Sequence, residues 1–191
     1  TTCSAPKSSE AGMPHSVPDA LERARRIRLM ILDVDGVLTD GTLWYGARGI
    51  EEMKCFHSFD GLGVQMLRQS GVHPALLSGR TSTGVAARAA ELGIEHVLQG
   101  IGDKLAAYRS LIERLGLTPE QTGYMGDDLV DIPVLARCGF ACAPSESPEE
   151  VRKRAHYVCA APAGRGAVRE VCEFVMRAQG TMDRVLQEYL K

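Results

Sequence analysis

The chain has 191 residues, is 45% hydrophobic and 24% charged, and carries a formal net charge of −2. That length allows one domain with a real core, and the composition is ordinary for a folded soluble protein. Neither nucleic acid nor an anionic membrane surface is implied as a partner by this balance, and no apolar run approaches the length of a membrane span.

Residues 1–19 are rich in Ser, Pro and Ala and lack an apolar signal core. They read as a disordered tail before a single domain over 20–191, and a cytoplasmic location is expected. Arg23, Arg25, Arg26 and Arg28 read as a solvated helix end. Residues 27–32 form an apolar run of strand length. The string Asp33-Val34-Asp35-Gly36-Val37-Leu38-Thr39-Asp40 follows it. Side chains two apart on a strand share a face. A doubly wound sheet binds ligands at the carboxyl ends of its strands. Two carboxylates are therefore placed where such a sheet does chemistry.

Residues 41–45 and 51–56 flank Gly46-Ala47-Arg48-Gly49 and read as a hairpin. Residues 61–70 have helical period and stop at Gly71. Residues 73–77 are the next strand, ending at Ser78-Gly79-Arg80. A helix over 81–92 stops at Gly93, and 94–98 is a third strand. Asp103 is placed to cap a helix that begins at Lys104 and runs to Leu115. Residues 122–125 form a fourth strand ending at Gly126-Asp127-Asp128, and a short helix with Pro133 follows. Residues 140–143 and 157–159 read as later strands, and 167–178 and 182–190 as helices. This alternation predicts an α/β fold: a Rossmann-like, doubly wound, mostly parallel sheet with a hairpin insertion and no cap domain. Six cysteines without a CxxC pair argue for buried, reduced thiols rather than a disulfide framework.

The chemistry-bearing residues recur at successive strand ends. Asp33 and Asp35 follow the first strand and Ser78 the second. Lys104 opens the helix after the third, and Asp127, Asp128 and Asp131 follow the fourth. Singly, each has a plain alternative as a turn, a cap or a solvated side chain. Jointly, they suit phosphoryl transfer. One carboxylate attacks phosphorus, and the second protonates the leaving oxygen and later activates water. A hydroxyl and an ammonium offset charge on the phosphoryl oxygens. Hard oxygen ligands favour magnesium. Asp131 lies one helical turn after Asp127 and reads, with Asp128, as a residue behind the ligands that orients them or the lysine.

The longer strings resemble the haloacid dehalogenase superfamily of phosphatases. From about residue 24 to 180 they resemble its capless 3-deoxy-D-manno-octulosonate 8-phosphate phosphatase family. The matching pieces are DVDGVLTDG from Asp33, DGLG from Asp60, SGR from Ser78, QGIGDKL from Gln99, GDDLVDIPVL from Gly126 and GRGAVREVCE from Gly164. The resemblance implies Asp33 as nucleophile and metal ligand. Asp35 becomes general acid and base, with its main-chain carbonyl on the metal. Ser78 and Lys104 hold the phosphoryl group, and Asp127 is the remaining ligand of Mg2+. It also implies a phosphorylated sugar acid as substrate, read by Asp35, the stretch His57, Ser58, Phe59, Asp60 and Gly61, and by Gly79, Arg80, Arg88, Lys104 and Arg165. It implies a homotetramer whose neighbours supply the missing lid, the stretch from Gly164 folding over a neighbour's site. It implies a product that belongs to lipopolysaccharide precursor synthesis. Phe59 and Gln65 stand where some relatives carry arginines, and Ala161-Pro162-Ala163 replaces a more glycine-rich approach. A nine-carbon sugar acid phosphate is therefore the alternative substrate. A receiver-like phosphoacceptor or non-catalytic domain is disfavoured by Asp35 and by the intact set of site residues.

Overall fold

Strand β1, Leu29–Leu32, is buried along its whole length, as a continuous apolar run without alternation dictates. The structure is a computed structural model and describes residues 17–46 and 51–191. Beside β1 lie β4, His73–Leu77, and β6, Thr122–Met125, both parallel to it. With β5, His96–Leu98, β7, Phe140–Ala143, and β8, Tyr157–Val158, they form a six-stranded parallel sheet in the order β5-β4-β1-β6-β7-β8. The chain therefore moves outward from β1 to β5, then returns to the other side of β1 at β6. That reversal opens a crevice at the carboxyl ends of β1 and β6.

The two faces of the sheet follow from the period of two along each strand. Met30 and Leu32 face helices α1 (Val17–Ala24), α2 (Ser58–Ser70), α3 (Thr83–Leu92), α7 (Ala167–Ala178) and α8 (Met182–Gln187). Leu29 and Ile31 face α4 (Lys104–Arg114), α5 (Ile132–Leu135) and α6 (Glu149–Arg152). Asp33 continues the second series, so it leaves the sheet on the side where α4 begins.

The expected doubly wound parallel fold is present. Several boundaries move. Helix α1 starts at Val17, so Val17–Asp19 belong to the folded unit, and the rest of the expected tail lies outside the described residues. Helix α2 starts at Ser58 because the His57 imidazole accepts a hydrogen bond from the Phe59 N–H at 3.2 Å. The expected hairpin is an irregular antiparallel pair, β2 (Trp44–Tyr45) and β3 (Glu51–Met53), and most of its turn falls outside the described residues. Cys138, Cys142, Cys159 and Cys172 are buried free thiols as expected, but Cys55 is exposed.

The stretch from Gly164 leads into a helix anchored in its own core. Val168, Val171, Cys172, Val175 and Met176 of α7 are fully buried, and α7 packs on α2 in the same chain, while Arg165 ahead of the helix is exposed.

Candidate active site

Asp33 ends β1, and its Oδ1 accepts the Val34 N–H at 2.7 Å. The chain then makes a wide turn over Val34–Leu38, closed where the Thr39 N–H donates to the Val34 carbonyl at 3.0 Å. Gly36 has φ +81°, and a Cβ there would collide with the Asp127 carboxylate. The turn therefore needs glycine on two counts. This close approach carries Asp127, at the end of β6, up against the turn that holds Asp35.

Lys104 opens α4, whose N-terminus is capped by the Asp103 carboxylate accepting from the Ala106 N–H at 2.9 Å. Its Nζ lies 2.7 Å from Asp33 Oδ2 and 2.7 Å from Asp131 Oδ1. Asp131 is fully buried, and both its oxygens are occupied. Oδ1 also accepts from the Tyr124 hydroxyl at 2.6 Å, and Oδ2 accepts the N–H groups of Asp127 and Asp128 at 3.1 and 3.2 Å. Asp131 therefore anchors the lysine and the β6 loop together. Asp128 caps the turn after it, accepting from the Leu129 N–H at 2.7 Å.

Asp33, Asp127 and Asp131 bring carboxylate oxygens within 4.8 Å of one another. The donor set is oxygen-only, which suits a hard divalent cation. With Asp131 committed to four hydrogen bonds, Asp33 and Asp127 are the carboxylates fitted to hold it. Burial pushes the Asp33 carboxyl up to about 6, with Asp131 adding to the rise and Lys104 opposing it. Burial, then Asp33, Asp131 and Asp128, push Asp127 up to about 7. Burial works against the charge on Lys104, yet Asp33 and Asp131 together hold it above the ordinary lysine value. Two acids that resist ionisation side by side are relieved by a bound cation.

Asp35 forms an ion pair with Lys54, whose side chain is 2% exposed, and its other oxygen lies 3.8 Å from Arg80 Nε. Arg80 also donates to the Tyr45 hydroxyl at 3.1 Å, which ties the hairpin to the site. Ser78 accepts the Arg80 N–H at 3.2 Å and is buried at the end of β4. A cleft of about 290 Å³ joins these groups, lined by Asp33, Asp35, Ser78, Gly79, Arg80, Lys104, Asp127 and Asp128, with Gly41, Leu43 and Val130 at its edge.

Other residues expected at the substrate do not line this cleft. His57 caps α2 and sets its ring edge-on to Phe59, which is exposed. Ser58 lies exposed at the start of α2. Arg88 lies against Gly61 and pairs with Glu91 at 2.8 Å. Arg165 is exposed and acts on Asp40 electrostatically. Asp60 is corrected outright. It is 1% exposed, and its two oxygens accept the Gly166 and Arg169 N–H groups at 3.1 and 2.9 Å, so its carboxylate is turned to the start of α7 and away from the cleft. Lys54 and Tyr124 are site residues that sequence reasoning missed. A tyrosine in an otherwise buried four-residue strand signals a buried hydroxyl in need of a partner. No local signal marks Lys54.

Residues 58–139 match the family model described as haloacid dehalogenase-like hydrolase. A curated relative from Yersinia pestis, the 3-deoxy-D-manno-octulosonate 8-phosphate phosphatase KdsC, is 44% identical over 165 residues, covering 86% of this chain and 88% of the relative. The chain belongs to the KdsC family. The KdsC-family structure from Moraxella catarrhalis, in complex with magnesium ion, phosphate ion and KDO, superposes with TM-score 0.88 at 39% identity, covering 91% of this chain and 99% of that one. The cobalt-bound form of the Haemophilus influenzae phosphatase superposes with TM-score 0.84 at 41% identity, covering 88% and 99%. As a KdsC-family member the chain is a phosphoric monoester hydrolase, and its acidic cluster suits a hard cation of the kind the Moraxella catarrhalis structure holds. Among the described residues no helix is long and apolar enough to cross a membrane.

Proposed function

We propose that this phosphatase releases inorganic phosphate and the free sugar acid from 3-deoxy-D-manno-octulosonate 8-phosphate, supplying a lipopolysaccharide precursor in the cytoplasm. The observation that carries the reading is Lys104 held between Asp33 and Asp131 at the mouth of the β1–β6 crevice, in a chain of this family.

Each residue has a definable task. Asp33 attacks phosphorus through a carboxylate oxygen. The phosphorus–oxygen bond to the sugar breaks, and Asp35 gives the leaving alkoxide its proton. Asp35 then takes a proton from the water that attacks the aspartyl phosphate, which regenerates Asp33 and frees phosphate. Lys104 offsets charge on the phosphoryl oxygens and stays fixed because Asp131 holds its other side. Ser78, at the β4 end of the same cleft, is placed to donate to a phosphoryl oxygen. A divalent cation would be held by the Asp33 and Asp127 carboxylates and would supply charge neutralisation at the phosphate. Lys54 and Arg80 flank Asp35 and orient its carboxyl group. Arg80, half in solvent at the rim, suits the carboxylate of a sugar acid.

The cleft is open, and the hairpin beside it exposes Trp44, Tyr45 and Met53 at 58, 57 and 66%. Apolar surface of that kind is covered by association. We therefore assign the hairpin to a homotetramer interface that closes the site and excludes water.

Phosphate release with Mg2+ from the eight-carbon and nine-carbon sugar acid phosphates tests the substrate. We expect kcat/KM to favour the eight-carbon compound by about tenfold or more, the scale of a group-size discrimination. Preference for the nine-carbon compound, or turnover of neither, overturns it. A monomer by light scattering at assay concentration overturns the tetramer.

A further inference from the structure

The loop from Ala160 to Gly166 has every main-chain N–H accounted for. Ala160 and Ala161 donate to the two oxygens of Glu170 at 3.0 and 2.9 Å. Ala163 donates to Glu146 at 3.1 Å, Arg165 to the Pro162 carbonyl at 3.3 Å, and Gly166 to Asp60 at 3.1 Å. Pro162 has no N–H to place. The remaining donor, Gly164 N–H, goes to the Val37 carbonyl at 3.0 Å, inside the turn that carries Asp35. Gly164 has φ +59°, and a Cβ there would come within 2.5 Å of the Thr39 carbonyl carbon and the Asp40 nitrogen.

We infer that this loop is a strap, gripped by Glu170, Asp60 and Glu146, that sets the position of the Asp35 turn. The inference rests on the reading of Asp35 as the acid for the leaving group. Each gripping carboxylate accepts hydrogen bonds from main-chain N–H groups, so the grip is charge-assisted and stronger than a neutral one. Glu170 is fixed further by the Tyr157 hydroxyl at 2.7 Å. Asp60 supplies α7 with the acceptor that its own N-cap, Gly166, lacks. The turn itself is held by Thr39 against the Val34 carbonyl and by the Val34 N–H on Asp33. The strap gives the Val37 carbonyl, between Gly36 and Thr39, a partner from outside the turn. Glu170, Asp60 and Gly164 are therefore positioning residues: none lines the cleft, and each acts on Asp35 through the strap.

Two variants separate this role from simple stability. Glu170→Gln replaces one gripping oxygen by an amide nitrogen that faces a main-chain N–H. Gly164→Ala pushes directly on Thr39 and Asp40 and leaves the carboxylates alone. Single-turnover release of the leaving group is measured with an alkyl phosphate that the wild type hydrolyses and with p-nitrophenyl phosphate, alongside melting temperature. A displaced acid penalises the alkoxide and spares the nitrophenolate. We expect alkyl release to fall about tenfold or more, within the range of general acid help, and aryl release to stay within about threefold. Equal losses on both substrates, or a lower melting temperature with both rates intact in either folded variant, overturn the strap. Failure of the substrate reading is distinguishable, because it appears as absent wild-type turnover of the sugar acid phosphate and leaves the comparison on another alkyl phosphate in place.

Discussion

Tyr124 donates its hydroxyl to Asp131 at 2.6 Å, on the same oxygen that Lys104 approaches at 2.7 Å. The phenol and the ammonium share one acceptor, and the lysine in turn meets Asp33. A residue on the neighbouring strand thus helps fix the counter-charge of Asp33, the carboxylate proposed as nucleophile.

Tyr124→Phe removes that donor from a fully buried site and leaves Asp131 Oδ1 with Lys104 alone. Loss of one partner from a buried polar group costs about 1–3 kcal/mol. For a chain of this length the melting temperature should drop by roughly 2–4 °C per kcal/mol. Phosphatase activity should fall by about threefold to tenfold, because the lysine remains but is less constrained. Thermal denaturation and steady-state kinetics of the variant check both, and an unchanged melting point speaks against the bond.

Lys104→Met leaves Asp33 and Asp131 facing one another without their cation. Breaking a buried ion pair from one side costs about 3–5 kcal/mol. The penalty should grow from pH 5 to pH 8, because Asp33, raised to about 6, takes up its charge across that range. Denaturant melts at the two pH values measure it. A pH-independent penalty would show that the lysine serves only to fill space.

Asp33→Asn should remove turnover by about 10³-fold or more while the protein stays folded, since the amide is a poor nucleophile and a poorer ligand. Phosphate release by a variant with a wild-type circular dichroism spectrum is the measurement. Wild-type-like turnover sinks the nucleophile assignment.

Stabilisation by Mg2+ should depend on pH. Asp33 and Asp127 are raised from an ordinary value near 3.8 to about 6 and about 7 in the cation-free protein. The folded chain then binds protons more tightly than the unfolded one. Their stabilising contribution is full below about pH 4 and is lost as pH rises through about 6 to 7. The cation favours the ionised acids, so the melting-point gain from Mg2+ over chelator should be larger at pH 8 than at pH 5. Equal gains at both values would place the cation elsewhere.

Removing residues 164–191 should give no folded protein rather than an open-lidded enzyme. The cut takes out Val168, Val171, Cys172, Val175 and Met176, all fully buried. Each large buried apolar side chain is worth about 2–5 kcal/mol, against a total stability of about 5–15 kcal/mol. Soluble expression and circular dichroism decide it, and a folded, aryl-phosphate-active truncation would contradict the packing of α7.

The legible part of this molecule is the part written locally. Continuous apolar runs mark β1 and β7, and the largely buried short runs at β4 and β6 admit His73, Thr122 and Gly123, because strands of a parallel sheet are buried on both faces. Asp33, Ser78, Lys104 and Asp127 stand out because each follows such a run or opens the helix after it, and parallel strands bring their ends to one edge. Asp131 is legible by its spacing from Asp127. What depends on tertiary partners is not. Lys54 sits in a hairpin with no periodic signal, and its meeting with Asp35 depends on how the hairpin folds back over the sheet edge. Asp60 lies in a string that reads as ligand-facing, and only burial shows that α7 has taken both its oxygens. Helix α2 begins early because an imidazole caps it, a role that Ser, Thr, Asp or Asn more often fills.

The contact between Gly36 and Asp127 bears on how this enzyme can vary. Position 36 has no room for a side chain, since the ligand carboxylate already occupies the space. The inner frame of Asp33, Asp35 and Asp127 is therefore closed to gradual change, because a side chain at position 36 would push on Asp127 and the turn that carries Asp35. Leu43 and Val130 stand at the cleft edge with no such lock. New substrate preferences in descendants of this chain should accordingly arise by replacing the rim while the frame stays constant. A library randomised at those two positions is the economical starting point for altering which phosphorylated acid is accepted.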